Sequence, residues 1–273
     1  MANNRGRQSG NSAANVGLAV GAVIVIAMVG YVLTRSTDTA AVPSGLPTSA
    51  TTTSSAPTKA SIAAPTVPLL IEDDFTKAPD GKPTKAATGQ TYSIVETGLN
   101  TSGMTVSGGL LRHGAPTARN GASYLEARLP GDVQRIGADA VFSKNSAFIA
   151  LVVWQTSLAE ARNKTAPGPI PRAGIHFVAG PHGWHLGIYT GKGEDILKTV
   201  NFPSALVADG QTAHTFEVTR KGDEAWVTAP DGTVTGPITD PRISDWAGRW
   251  PCWELYEFTP DMKPAAFAKI WAG

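Results

Sequence analysis

Cysteine is nearly absent from this chain. Cys252 stands alone in 273 residues, so no intramolecular disulfide can form, and a folded domain must be held by its hydrophobic core. Several enzyme signatures are missing as well. No Gly-x-Ser-x-Gly elbow, glycine-rich phosphate loop, His-Glu-x-x-His or paired Cys-x-x-Cys occurs, which leaves serine-esterase, nucleotide-binding and zinc-peptidase functions unsupported. Charge is sparse, at 16% of residues, and the formal net charge is only +1. Residues 1–35 hold three arginines and no acid, which leaves 20 basic against 22 acidic residues beyond them, a balance of −2. That balance carries no nucleic-acid footprint. Nothing around Pro251-Cys252-Trp253 would activate a thiol, so Cys252 reads as a buried, inert side chain.

What the chain does have is one long apolar run, VGLAVGAVIVIAMVGYVL at 16–33, without a charge. At 1.5 Å per residue a helix of this length covers roughly 27 Å, close to the ~30 Å hydrocarbon core of a bilayer. The expectation is a membrane span over 16–34. Arg5 and Arg7 precede it, and the positive-inside bias then places residues 1–15 in the cytoplasm and the rest of the chain outside. The run is longer than the apolar region of a cleaved signal peptide and no close small-residue cleavage site follows, so an uncleaved anchor is favoured. Residues 35–68 are almost entirely Ala, Ser, Thr and Pro, with prolines at 43, 47, 57, 65 and 68. Such a segment has too little apolar surface to fold and is stiffened toward extended forms, so it reads as a tether with a reach of up to roughly 100 Å.

The remainder, 69–273, reads as all-β. With 29 Gly and 20 Pro in the chain, short β-rich runs are punctuated by turn formers, and no helical stretch is longer than a turn at 157–164. Strands are expected at 69–75, 92–96, 105–106, 110–112, 123–129, 135–142 and 195–200. The run AFIALVVW at 147–154 has the unbroken apolarity of a strand buried on both faces. In the next hairpin, a turn at Pro181 and His182 pairs Ala179 with Trp184, Phe177 with Leu186 and Ile175 with Ile188 on a core face. The other face then carries His176, Val178, His185 and Tyr189, with Gly174 and Gly187 leaving room for a close approach.

Residues 209–234, DGQTAHTFEVTRKGDEAWVTAPDGTV, combine a Gly turn, a His, alternating Phe216 and Val218, a Lys-Gly-Asp turn, Trp226-Val227 and Asp231-Gly232. This unit resembles the signature hairpin of concanavalin-like and laminin-G-like jelly rolls. The resemblance implies a concanavalin-like jelly-roll β-sandwich over 69–273, in which a closing strand at 266–271 pairs with the opening one at 69–75. It also implies glycan binding through aromatic rings on a sheet face or rim. The candidate ligand-binding residues are His176, His185 and Tyr189 on the hairpin, with Trp246, Trp250 and Trp253 in DWAGRWPCWELYEF, read as a Gly/Pro-bearing loop. Some glycoside hydrolase families of this fold carry Glu-x-Asp-x-x-Glu or Glu-x-Asp-x-Glu on one strand, and this chain has no such pattern. Glu254 and Glu257 stand at odd spacing, on opposite faces of a strand. Zinc would need three or four ligands. The hairpin register sets His182 at the turn tip and His176 and His185 diagonally on the strands, so no metal centre is expected. Glu72, Asp73 and Asp74 offer hard oxygens for a structural calcium, although alternation keeps all three from facing one ion without help from loops.

The leader, the tether and the lack of disulfides resemble an actinobacterial-type or phage-encoded envelope protein. The reading is thus a membrane-anchored, extracytoplasmic and non-catalytic module for glycan or cell-envelope binding. The alternatives are a structural or protein-interaction module, as in a phage surface or tail-associated part, and a glycoside hydrolase. No nucleic-acid partner is expected. Protease added to intact cells is expected to remove the region beyond the tether, and full protection of that region would refute the orientation.

Overall fold

The architecture follows from one strand that has no polar side chain. The computed structural model describes residues 64–98, 103–113, 121–143, 148–160, 174–190, 193–245, 247–257 and 265–273. The expected cytoplasmic tail at 1–15, the span at 16–34, most of the tether and Trp246 lie outside the described residues. Among the described residues, no helix is long and apolar enough to cross a membrane.

Fifteen strands are described: β1 Ile71–Asp74, β2 Tyr92–Gly98, β3 Met104–Ser107, β4 Leu110–His113, β5 Gly121–Ala127, β6 Arg135–Val141, β7 Ile149–Trp154, β8 Gly174–Gly180, β9 Gly183–Tyr189, β10 Glu194–Asn201, β11 Ala213–Lys221, β12 Glu224–Thr228, β13 Val234–Thr239, β14 Trp250–Glu257 and β15 Ala266–Ala272. They form two antiparallel sheets. One runs β13-β12-β11-β6-β15-β4-β3, with β1 also paired to β15, and the other runs β10-β9-β8-β7-β14-β5-β2. The closing strand meets the opening one as the resemblance implies, with Ile71 opposite Ala272 and Asp74 opposite Lys269.

β7 is buried at all six positions, as its unbroken apolar sequence requires. Ile149, Leu151 and Val153 point between the sheets, where they join Ile175, Phe177, Leu186, Ile188, Phe216, Val218, Trp253 and Phe267 in one core cluster. At about 25 cal/mol per Å² of apolar surface removed from water, each such side chain contributes roughly 1.5–3 kcal/mol. The β8–β9 hairpin has the register read from its sequence, Ala179 with Trp184, Phe177 with Leu186 and Ile175 with Ile188. A strand in which apolar and polar residues alternate cannot slip by one residue without exposing its whole core face.

One expectation is corrected. Residues 250–257 are not a loop. They form β14, a central strand hydrogen-bonded to both β5 and β7. Pro251 is tolerated because its nitrogen, like the Arg249 carbonyl that accepts from the Leu129 amide, faces the β5 side at the very end of that pairing, which begins at Cys252 and Glu126, so the ladder with β7 loses no bond. Of the two turn formers that read as a loop, Gly248 belongs to the approach to the strand, after a helical turn at Arg242–Asp245, and Pro251 lies within the strand.

The two sheets are also joined by a polar contact. His113 of β4 is buried, and its Nδ1 lies 3.1 Å from Ser123 Oγ of β5. Burial holds its imidazole down at about 4, below the ordinary 6.5. A histidine whose folded-state value is depressed contributes stability that is fully present above the unfolded value and lost as pH falls through the folded one. Stability is therefore expected to drop by about 2–3 kcal/mol between pH 7 and pH 4 through this group alone. Urea unfolding at the two pH values checks it, and the pH dependence should shrink in His113→Gln.

Candidate functional site

The outer face of the seven-stranded sheet, turned away from the core, collects the chemistry. Cross-strand pairing sets side chains there in rows. Trp250 lies opposite Trp154, Trp154 opposite Gly174, Gly174 opposite Tyr189, and Tyr189 opposite Glu194. The next row runs Cys252, Val152, His176, Gly187, and the third runs Glu254, Ala150, Val178, His185. Directly opposed residues lie about 4.5–5.5 Å apart, so side chains within a row are neighbours, save where Gly174 and Gly187 carry none.

The two glycines leave room, as their positions imply, and neighbouring side chains of the protein fill it. A Cβ on Gly174 would lie 2.6 Å from the Trp154 ring, and a Cβ on Gly187 would lie 2.6 Å from Glu194 Oε1 and 2.8 Å from its Cγ. Glu194 therefore lies flat across β9, with a carboxylate oxygen for each histidine. Oε1 is 3.1 Å from His176 Nδ1, and Oε2 is 3.1 Å from His185 Nε2. The far nitrogen of His176, Nε2, faces Glu254 Oε2 at 3.4 Å. One imidazole is thus held between two carboxylates.

The electrostatics follow from this packing. Burial opposes a charged His176, but the Glu194 carboxylate and the contacts with Glu194 and Glu254 outweigh it and raise the imidazole to about 10. Burial likewise opposes an ionised Glu194, but the charge of His176 and the two imidazole contacts hold the carboxyl down at about 2. The Tyr189 phenol is pushed up by burial and then by the two nearby carboxylates. Its ring meets His176 and Trp154 edge-on, at centroid separations of 6.5 and 6.1 Å.

Beside this polar group the outer face is apolar. Val95, Ala122, Tyr124, Ala150, Val152, Trp154, Leu158 and Cys252 form a second buried cluster, with Tyr189 and Trp250 packed at its margin. Glu126 of β5 fastens its cover. Its fully buried carboxylate accepts hydrogen bonds from Ser157 Oγ at 2.7 Å and from the Leu158 amide at 2.5 Å, which hold the helical residues 158–160 over the sheet. Cys252 is buried, and desolvation raises its thiol well above the ordinary value, consistent with an inert side chain.

The sequence-derived candidates divide accordingly. His176, His185 and Tyr189 share the outer face as the hairpin register requires, and Trp250 joins them. His185 is only 3% exposed, so it braces Glu194 from below and presents no surface of its own, contrary to the expectation of a direct contact. Trp253 is a correction. Three residues from Trp250 on a strand, it faces the opposite way into the core, where its Nε1 donates to the Gly137 carbonyl at 3.0 Å. Trp246 lies outside the described residues, and His182 is exposed at the hairpin turn, away from the other histidines. Glu194, Glu254 and Glu126 were missed as site residues. Even spacing of Glu254 from Trp250 was the available signal for that residue, whereas Glu194 reaches the site only through the pairing of β10 with β9. Glu72, Asp73 and Asp74 alternate as expected, and protein donors engage each of them: Lys269 at 2.5 Å, the Tyr92 hydroxyl at 2.6 Å, and Lys77 at 2.6 Å.

No protein-family model and no curated protein sequence matches the chain. Solved structures do resemble it. The catalytic domain of an endo-1,3-beta-glucanase (laminarinase) from Thermotoga petrophila RKU-1 aligns with a TM-score of 0.48 at 8% identity, over 75% of this chain and 96% of that one. The laminarinase from Rhodothermus marinus aligns with a TM-score of 0.47 at 12% identity, over 75% and 96%. The carbohydrate-binding module CBM66 from Bacillus subtilis aligns with a TM-score of 0.40 at 9% identity, over 66% and 88%. The jelly-roll character of this chain rests on its own two-sheet strand order and on the pairing of β1 with β15.

The contact of Glu194 with Gly187 gives a direct test. Gly187→Ala is expected to cost about 1–3 kcal/mol through overpacking. In a double-mutant cycle the same change should cost at least ~1 kcal/mol less on a Glu194→Ala background, because the colliding side chain is gone. Equal costs in chemical denaturation would mean that Glu194 does not lie over this glycine.

Proposed function

We propose that the domain binds glycan on the outer face of its seven-stranded sheet, without catalysis. The proposal includes its display outside the cell, on the anchor at 16–34 and the tether at 35–68. The observation that carries the binding reading is the row Trp250, Trp154, Tyr189, partly open to solvent at both ends and bordered by His176 and Glu194. A sugar ring presents apolar C–H faces and a rim of hydroxyls. An aromatic row beside fixed imidazole and carboxylate groups complements both. The Arg128 guanidinium lies over the Trp250 ring, 5.8 Å from its centre, within cation–π range.

The same geometry argues against hydrolysis. A glycosidase needs two carboxyl groups flanking the scissile bond, each with an oxygen aimed at substrate. Here both oxygens of Glu194 are directed to imidazoles, and Glu254 Oε2 is turned to His176. Glu126 is fully buried and hydrogen-bonded beneath residues 157–158. Glu194 and Glu126 thus have both oxygens engaged within the protein, and Glu254 alone does not make a catalytic pair.

A glycan array probed with the purified protein is expected to give binding that Trp250→Ala weakens about tenfold or more, a loss of roughly 1.4 kcal/mol or greater. Tyr189→Ala should weaken it similarly, with the thermal unfolding midpoint of each variant shifted by only a few degrees. Release of reducing ends from a bound polysaccharide would overturn the non-catalytic reading. Absence of binding to any sugar, with stoichiometric capture of a protein partner, would overturn the glycan reading altogether.

A further inference from the structure

The polar group beside the aromatic row has the composition and arrangement of a metal centre. Each of His176, His185 and Glu194 offers one ligand atom, and these atoms lie within 4.8 Å of one another. Two imidazoles and a carboxylate are the donor set that zinc takes when three protein ligands leave a fourth position open. The three residues come from adjacent strands β8, β9 and β10, so backbone pairing fixes their spacing. Glu194 and His185 keep only 3% and 4% of their side chains exposed, whereas His176 keeps 17%, which gives an ion a way in from solvent.

A second observation, outside the ligand set, points the same way. His176 turns Nδ1 toward Glu194 and presents its other nitrogen, Nε2, to Glu254. A histidine bound to a metal through one nitrogen almost always donates the N–H of the other to a carboxylate, carbonyl or water, which fixes its tautomer and ring orientation. Glu254 is placed for that role and is itself only 8% exposed. Charge is consistent too. A divalent cation bound to neutral imidazoles neutralises both the Glu194 and the Glu254 carboxylates of this water-poor site, the part that a proton on His176 plays without it.

We infer that His176 Nδ1, His185 Nε2 and the Glu194 carboxylate bind one divalent transition-metal ion of the zinc class, with Glu254 orienting His176 from behind. Imidazole ligands favour zinc, copper, nickel or cobalt over calcium and magnesium, which take oxygen donors. Gly187 belongs to the same construction, because only a residue without a Cβ lets Glu194 lie between the two rings. The inference is independent of the glycan reading, since an ion can bind here whether or not a sugar binds above it.

The test is calorimetric titration of the chelator-stripped full-length protein with zinc chloride, repeated with calcium chloride. One zinc ion per chain is expected at micromolar or tighter affinity, with no comparable calcium binding. His185→Ala and Glu194→Ala should each weaken zinc binding at least 100-fold. Glu254→Gln should weaken it about 10-fold or more, in line with the loss of an outer carboxylate partner, and His182→Ala should leave it unchanged. X-ray absorption at the zinc edge of the wild-type complex keeps the test valid if a variant fails to fold, because two imidazoles and oxygen donors are expected there. Absence of stoichiometric zinc binding overturns the inference. So does affinity that survives His185→Ala and Glu194→Ala, affinity that is lost in His182→Ala, or an absorption spectrum with fewer than two imidazoles.

Discussion

Burial of β7 on both faces is the constraint from which the rest of the structure follows. Its inner residues, Ile149, Leu151 and Val153, are covered by the other sheet, as in any sandwich. Among the described residues no second sheet lies above its outer residues, Ala150, Val152 and Trp154, yet they are equally buried. Among the described residues, their neighbours come from the same face: Tyr124 and Cys252 from adjacent positions, Leu158 from the turn tied down by Glu126, and the Tyr189 ring. Removing that patch from water creates a region where charges are weakly screened. The His176, Glu194 and Glu254 contacts beside it are therefore stronger than the same contacts on an open surface.

Missing side chains do as much as present ones in this packing. Gly174 receives the Trp154 ring, Gly187 receives Glu194, and Gly137 on the other sheet receives the Trp271 ring at 2.3 Å from where its Cβ would stand. In each case a large or charged side chain lies flat on a strand instead of rising from it. Trp271 is then fixed at its edge by Glu217, which accepts from Nε1 at 2.8 Å and also pairs with Arg135 at 2.6 Å. A flattened side chain loses rotamer freedom, and hydrogen bonds at its far end help offset that loss.

How much of this was legible in the sequence depended on whether the signal was local. The β8–β9 hairpin was readable to the residue because alternation of period two and a two-residue turn leave one register that buries Ile175, Phe177 and Ala179 together. The pairing of the first strand with the last came through the resemblance carried by residues 209–234, and β1 with β15 agrees with it. β14 was read as a loop because Gly248 and Pro251 give turn signals, whereas the bonds that make it a central strand come from β5 and β7, far away in sequence. Glu194 was invisible for a related reason. Nothing in its neighbourhood marks it, and β10 carries an irregularity between Ile196 and Lys198 that ends simple alternation from one end of the strand to the other. The glycines signalled a close approach, but a glycine records only that space is needed and not which side chain takes it.

The division of the outer face into a dry polar group and a half-open aromatic row also separates two kinds of chemistry. Groups that bind a large, flexible ligand need exposure, and here Tyr189 and Trp250 have it. Groups that bind a bare ion need convergence and exclusion of water, and here His185 and Glu194 have both. His176 belongs to the two sets at once. It touches Glu194 and Glu254 through its nitrogens, meets Tyr189 edge-on, and is the one member of the polar group that reaches solvent appreciably. Anything that fixes the His176 ring, whether Glu254 alone or an ion held with Glu194, also fixes the surface against which Tyr189 packs. The aromatic row is thus braced through the polar group beside it.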